Sequence, residues 1–577
     1  MTRAGARLER PHFELKMYRI INLAAFLLVT ACTGDVPAAQ TSSVTDDRPN
    51  ILLIVVDDMA FSDLGSFGGE IPTPNLDRLA YEGIRFTNFH GAPTCSPSRA
   101  MLLTGVDSHR AGLGNMLEEL SPNQIGRKGY EGYLNERVVT MPELLADAGY
   151  RNYLTGKWHL RSGEKSGPDH RGFERSFELS DGGASHYGDM RPAYAPSPEI
   201  KAKYREDGVK LTELPAEFKY SSQYYVDKMI EYLGEHDAQQ QPFFAYLSFT
   251  APHWPLQAPD EAIARHAGRY DDGYDVLAEA RLDNAKELGL IPKSAGRAGR
   301  SPKEMPFADL DDEQRKFEIR AMEVYAAMID EVDRHTGRLI EFMTSKGLLD
   351  NTIIFFMSDN GAEGHDLDET WPMESFPEIR KTIDATHDFT YENIGRPGSY
   401  TLLGPNWANA GAPAFRLHKA FPTEGGTRVA AFVHFPEKTD APSVSDDLIF
   451  VKDVAPTILE LAGVEHPGTQ YKGRSIEPVT GTSFVSILEG SGATDGDRVI
   501  GMELFGKRVI RKGDWKLVHM PQPYGIGDWQ LFNLQDDLGE SNDLSAAYPE
   551  RFKAMKTLWD DYAKTNNVII PDWVSGY

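Results

Sequence analysis

Cysteine is almost absent from this chain. Its 577 residues include two, Cys32 and Cys95. Each falls in its own local signature, so no pair is left for a disulfide even in an oxidising compartment, and the fold must hold by packing. Basic charge is scarce as well. The 60 Lys and Arg face 86 Asp and Glu, a formal net charge of -26, which argues against nucleic acid as a partner because a phosphate backbone needs a basic surface. The balance weighs less against sulfated polymers, since a local basic pocket can sit within an acidic exterior. The apolar run Ile20 to Ala31 falls short of the ~20 residues that span a bilayer. There is no internal repeat. What is present is globular, with 41% hydrophobic and 25% charged residues, and the length exceeds one ordinary core. We expect one large domain and one small one.

At the amino terminus, Lys16 and Arg19 precede the run Ile20 to Ala31, which has the length of a signal-peptide core of about 7–15 residues. Val29-Thr30-Ala31-Cys32 resembles the lipobox of bacterial lipoproteins. That resemblance implies a lipidated Cys32, a periplasmic or cell-envelope location, and membrane contact only through the anchor. The alternative is an ordinary secretory signal cut near Ala31, leaving a soluble exported protein. The residues before Met17 lack any such pattern, so Met17 is an alternative start. Thr33 to Asp47 is rich in Thr, Ser, Ala and Asp and reads as a flexible tether. The expected organisation is 1–32 signal peptide, 33–47 tether, 48–480 catalytic domain and 481–577 carboxy-terminal subdomain.

Ile51 to Val56 is a continuous aliphatic run, the pattern of a parallel strand covered on both faces. Similar runs stand at Tyr150 to Thr155, Phe243 to Phe249 and Thr352 to Met357. Helical stretches lie between them. Thr140-Met-Pro-Glu143 reads as a capping box for a helix closed by Gly149, and a long amphipathic helix is expected over Glu318 to Lys346. Alternating strands and helices predict an α/β domain with a large, mostly parallel sheet, whose ligand site lies at the carboxyl ends of the strands.

Those ends carry a consistent set of side chains. Asp57 and Asp58 follow the first strand and Gly156-Lys157-Trp158-His159 ends the second, where an extended backbone would put Lys157 and His159 on one side. Pro252 and His253 follow the third, and Ser358-Asp359-Asn360-Gly361 the fourth. An Asp pair alone reads as a solvated strand exit, and Asp-Asn-Gly as a turn. Beside strands of the buried type, Asp57, Asp58, Asp359 and Asn360 form an all-oxygen set suited to a hard divalent cation such as calcium.

Cys95-Ser96-Pro97-Ser98-Arg99 resembles the maturation signature of type I sulfatases. A helix is expected from the Ser-Pro-Ser segment to Thr104, stopped by Gly105, so Cys95 would sit where backbone N–H groups and the helix dipole favour an anion. The resemblance implies an alkaline-phosphatase-like fold and a maturation enzyme that converts Cys95 to formylglycine, whose hydrate attacks the sulfur of a small sulfate ester. It also implies calcium held by Asp57, Asp58, position 95, Asp359 and Asn360. Asp359 would accept the nucleophile's proton, Arg99 orient the hydrate, Lys157 hold sulfate, His253 protonate the leaving oxygen and His159 help release sulfate. Lys419 is the expected second lysine. Gly404-Pro405-Asn406-Trp407-Ala408-Asn409-Ala410 resembles a loop of bacterial arylsulfatases. Two rivals stay open: a phosphonate monoester or phosphodiester hydrolase of the same superfamily, and a calcium-bearing surface lipoprotein that binds without turnover.

Asp63, His109, Arg110, Glu363, His365 and His418 read as supporting residues. Segments 186–220 and 260–312 are expected to decorate the rim, and 362–414 to line the pocket mouth. A helix is expected over Asp453 to Ala462. Beyond Gly473 to Gly481, short antiparallel strands at Val499 to Leu504, Arg508 to Arg511, Trp515 to His519 and Gln530 to Asn533, with a helix over Pro549 to Thr565, predict an α+β subdomain.

Overall fold

The run Ile51 to Val56 forms the strand Asn50–Val56, buried along its whole length. Alternation sends Leu52, Ile54 and Val56 into one apolar core and Ile51, Leu53 and Val55 into a second. That is why every position must be aliphatic. This computed structural model describes residues 48–161, 165–236, 241–435, 443–493 and 495–573. The signal peptide, the lipobox cysteine and the tether lie outside the described residues.

The other three runs form the strands Arg151–Lys157, Phe243–Ser248 and Thr352–Ser358. Strand Asn50–Val56 lies parallel between Phe243–Ser248 and Thr352–Ser358, and Arg151–Lys157 pairs parallel with Phe243–Ser248. Arg175–Leu179 adds a fifth parallel neighbour, while Ala431–His434 pairs antiparallel with Thr352–Ser358 and makes the ten-stranded sheet mixed. The register fixes the site. Val56 pairs with Ser358, Val55 with Ser248, and Gly156 with Ser248, so Asp57, Lys157 and Asp359 leave the sheet at one level.

Thr140 and Glu143 form the expected capping box of helix Met141–Asp147. The long helix spans Asp312–Ser345 and begins six residues before its expected start, at the capping box of Asp311 and Gln314. Its first turns are polar and largely exposed; they carry no apolar period, and only the cap marks them. Segments 186–220 and 260–312 do more than decorate the rim. Tyr204–Glu206 and Val209–Lys210 extend the main sheet, and helix Gly273–Glu287 supplies the buried Arg281, 2.7 Å from Asp63. Among the described residues no helix is long and apolar enough to cross a membrane.

The carboxy-terminal strands Val499–Leu504, Lys507–Lys512, Trp515–His519 and Trp529–Asn533 form a separate antiparallel sheet. One face buries Ile510, Leu517 and Leu531 against Met555 and Trp559 of helix Pro549–Thr565. The other sends Ile500, Val509, Val518 and Phe532 into the second core of the large sheet. A buried charge cluster ties the two sheets together. Lys516 Nζ lies 2.8 Å from Glu424 Oε1 and 3.0 Å from Glu540 Oε1, and the Glu424 amide donates to Glu540 at 2.9 Å.

Removing one partner of such a cluster leaves buried charge uncompensated, at a cost of roughly 3–5 kcal/mol. Lys516→Met should therefore lower the urea midpoint strongly, and adding Glu540→Gln should recover part of the loss. A Lys516→Met protein with an unchanged midpoint would show that the cluster does not join the sheets.

Candidate active site

The helix Cys95–Thr104 begins at the cysteine itself, one residue before the expected Ser-Pro-Ser start, with extended Thr94 as its N-cap and left-handed Gly105 at its end. The Thr94 side chain makes no capping bond, so the turn is left for other partners. Cys95 and Arg99 stand four residues apart and share a helix face. Both are fully buried.

Arg99 is the pivot. Its Nε and Nη2 reach Asp359 Oδ2 at 2.9 and 2.8 Å, Nη2 lies 3.6 Å from Asp57 Oδ1, and Nη1 donates to Ser248 Oγ at 2.5 Å. Ser98 Oγ donates to the Asp359 carbonyl at 2.6 Å. The signature helix is thus fastened to the first, third and fourth strand ends. Two glycines let the backbones meet: a Cβ at Gly156 would lie 1.8 Å from the Ser248 carbonyl oxygen, and one at Gly91 2.2 Å from that of Asp359.

Each aspartate after the first strand has its own lysine. Lys157 Nζ lies 2.6 Å from Asp57 Oδ2, and Lys419 Nζ 2.8 Å from Asp58 Oδ2 and 3.2 Å from Glu363 Oε2. Asn360 Nδ2 donates to Asp58 Oδ1 at 2.7 Å, and the Asp58 amide to Asp359 Oδ1 at 3.3 Å. Asp58 takes a left-handed backbone, φ 67°, a conformation that Asp tolerates better than most residues. His253 Nε2 comes within 3.7 Å of Asp58 Oδ2, with Nδ1 on the Trp254 carbonyl at 2.6 Å.

Lys157 and His159 do not continue one extended strand as expected. Strand Arg151–Lys157 ends at the lysine, and His159 takes a left-handed backbone, φ 52°. The chain turns, so Lys157 meets Asp57 while His159 meets Glu118 at 3.1 Å. His159 still lines the cavity over Cys95, with Met116, Glu118, Gly182, Tyr194, His253, Trp254, Trp371 and Lys419. Trp371 brings segment 362–414 to the mouth. Glu118 and Tyr194 carry no motif; Glu118 lies in the single 3-10 turn Leu117–Glu119 and Tyr194 in a loop, and only folding brings them to the cavity.

Burial decides the protonation pattern. It pushes the Asp57 carboxyl up to about 7 despite Lys157, and raises Asp58 despite Lys419. Burial would raise Asp359 too, but Arg99, Lys157 and Lys419 outweigh it and hold that group low. Burial, reinforced by Asp57, raises the Cys95 thiol well above its ordinary range, so as a plain cysteine it would be a poor nucleophile.

The donor set suits a hard divalent cation. Asp57 Oδ1 and Asn360 Oδ1 are buried without a hydrogen-bond partner, and Asp57, Asp58, Cys95 and His253 offer ligand atoms within 4.8 Å of one another. Oxygen atoms dominate, which is calcium and magnesium chemistry more than zinc chemistry. Glu363, His365 and His418 also cluster. There, His365 Nδ1 lies 2.8 Å from Glu363 Oε1 and the Lys419 ammonium faces the same carboxylate, an arrangement that supports the lysine and repels a second cation.

A family model described as Sulfatase matches residues 49–464. The chain belongs to the sulfatase family. It is 41% identical over 540 residues to an uncharacterized sulfatase of Schizosaccharomyces pombe, covering 91% of this chain and 95% of that one. It is 36% identical over 467 residues to an arylsulfatase of Klebsiella aerogenes, covering 80% of this chain and 96% of that one. The crystal structure of Ps i-CgsB in complex with k-i-k-neocarrahexaose superposes with a TM-score of 0.63 at 23% identity, covering 91% and 95% of the two chains. The two chains share a fold, the expected alkaline-phosphatase-like arrangement of a large mixed sheet flanked by helices.

For a sulfatase the charge count is instructive. With every carboxylate ionised, Asp57, Asp58, Asp359 and Glu363 exceed Arg99, Lys157 and Lys419 by one. A divalent cation together with one singly charged sulfate ester closes that count to neutral. Calcium added to chelated protein should therefore raise its melting temperature, by the equivalent of about 2.7 kcal/mol at a hundredfold excess over Kd. Asp57→Asn should remove most of the gain, and melting that ignores calcium would count against a cation at these oxygens.

Proposed function

We propose that this sulfatase is an arylsulfatase, cleaving sulfate monoesters to a phenol or alcohol and sulfate with formylglycine at position 95 and one calcium ion. The observation that carries the reading is Cys95 at the mouth of a buried helix, facing Asp58 with Sγ 3.8 Å from Oδ1, among the lysines and histidines just described. Resemblance to the Klebsiella arylsulfatase supports it. So does the wall over Cys95: Tyr194 packs against Trp371 and Trp254 with ring centroids 5.0 and 6.3 Å apart, a surface suited to a flat aromatic leaving group.

Asp57, Asp58, Asp359 and Asn360 would hold the calcium, with position 95 beside them. When present, the ion and the matured side chain supply an acidic hydroxyl nucleophile and draw charge from the ester. Lys157 and Lys419 bind the sulfate oxygens, turning from the carboxylates they now neutralise. Asp359 accepts the nucleophile's proton; Arg99 occupies its Oδ2, and Oδ1, which accepts the Asp58 amide at 3.3 Å, has a second lone pair for that task. His253 gives a proton from Nε2 to the departing oxygen. Burial and the two lysines hold that ring well below its ordinary pKa, and an ester anion drawing the lysines away favours the protonated ring beside Asp58. His159 accepts a proton as sulfate is released. General acid–base help of this kind is worth roughly 10²–10⁴ per group.

The proposed partners are a small sulfate ester and a formylglycine-generating maturation enzyme. The proposed location is the periplasm or cell envelope, through a lipid anchor at Cys32; its support is the amino-terminal pattern alone. Nucleic acid is no partner in this reading.

The Cys95 peptide of active protein should show in a mass spectrum the loss of H₂S and gain of oxygen. Protein in which that thiol is wholly unmodified and no sulfate ester is cleaved would leave only the non-catalytic calcium-bearing reading. Cys95→Ala should fold normally and lose turnover. Nitrophenyl sulfate should be turned over faster than phenyl phosphonate esters; the reverse order would favour the phosphonate monoester or phosphodiester hydrolase. His253→Ala should slow alkyl sulfates by about 10²-fold or more but nitrophenyl sulfate far less, because nitrophenolate leaves without protonation. Equal losses would remove His253 as the acid.

A further inference from the structure

The two ring nitrogens of His159 stand in different surroundings. Nε2 lies 3.1 Å from Glu118 Oε1, and the same oxygen accepts the Tyr194 hydroxyl at 2.8 Å. Nδ1 is buried with no hydrogen-bond partner, in a ring that lines the cavity over Cys95. Gly182 makes room for this placement, since a Cβ there would lie 2.7 Å from both Cε1 and Nε2. A carboxylate can only accept. Nε2 must therefore carry hydrogen, and the neutral ring keeps its lone pair on Nδ1. Burial would raise the Glu118 carboxyl, but the His159 ring outweighs it and holds the group down to about 2. The Tyr194 hydroxyl on the same oxygen also marks it as an acceptor, which keeps the hydrogen of the contact on Nε2.

We propose that Glu118 is a positioning residue that fixes His159 as its Nε2–H tautomer and presents the Nδ1 lone pair to position 95. The proposal rests on the reading above, in which His159 accepts a proton as sulfate leaves. In that step a proton passes from an O–H at position 95 to Nδ1. The electron pair it leaves re-forms the carbonyl, the carbon–oxygen bond to sulfate breaks, and sulfate departs with the electrons of that bond. His159 becomes an imidazolium, and its charge is paired with Glu118. The Tyr194 hydroxyl steadies the carboxylate and couples it to the aromatic wall.

Two readouts test this. Imidazole ¹⁵N NMR, with His159 assigned by its loss in His159→Gln, should show the Nε2–H tautomer in the wild type and in Glu118→Gln, whose amide oxygen still accepts. Glu118→Ala should lose that preference. With nitrophenyl sulfate, Glu118→Ala should release nitrophenol in a burst of one equivalent per site, then turn over about 10²-fold more slowly than wild type, with KM falling alongside kcat and kcat/KM little changed, because the first cleavage does not use His159. Glu118→Gln, near-isosteric and fit to fold even if the alanine variant is not, should show the same burst with about a 10-fold loss, reflecting the missing charge. An unchanged tautomer in Glu118→Ala, or a loss in either variant that falls on the first turnover without a burst, would overturn the proposal. If wild-type protein cleaves no sulfate ester, the functional reading fails instead, and the NMR comparison still decides what Glu118 does to the ring.

Discussion

The structure depends on burying opposite charges together at the ends of parallel strands. Asp57, Asp58 and Asp359 are out of contact with water, and an isolated carboxylate in that position would protonate or unfold its surroundings. Arg99 prevents this on one side by bridging Asp359 and Asp57, and the two lysines on the other. Because Arg99 also belongs to the helix that starts at Cys95, the electrostatic clamp and the placement of Cys95 are one construction. The helix cannot move without breaking the pairing at three strand ends.

The arrangement follows from the sheet before it follows from the loops. Five parallel strands give one edge at which several chain segments end together, and their register sets the height at which each side chain emerges. Strands supply the groups that must be rigid: Asp57, Lys157 and Asp359. The segments between strands supply the cavity wall over Cys95: Glu118, Tyr194, His253 and Trp371. Binding walls can vary on such loops while the charge cluster stays fixed.

Much of this was legible in the sequence because strand period and polarity are local. Continuous aliphatic runs stopped by Asp-Asp or Ser-Asp-Asn-Gly mark both the core and its rim, and Cys95 stood out through the residues around it. Lys419 was reachable only by resemblance, since one lysine in a loop carries no signal of burial. His159 was assigned to the right cavity on a false premise: period two holds only while the strand lasts, and the chain turns after Lys157. Glu118 and Tyr194 were invisible for a related reason. Their meeting at one carboxylate oxygen depends on how two long loops fold, and no spacing in the chain encodes it. The buried Arg281 was hidden within a segment that reads as polar decoration, because a helix that buries a cation among acids looks solvated in composition.

The charge of the whole chain bears on what reaches this pocket. At -26 the protein repels anions at long range, yet the proposed substrate is an anion. Screening settles the conflict for small molecules: at physiological ionic strength exposed charges fade over about 8 Å, so a small monoanion meets the local cations of the pocket only after crossing a weak barrier. In the proposed reading, the aromatic wall of Tyr194, Trp254 and Trp371 then supplies affinity from the uncharged end of that molecule.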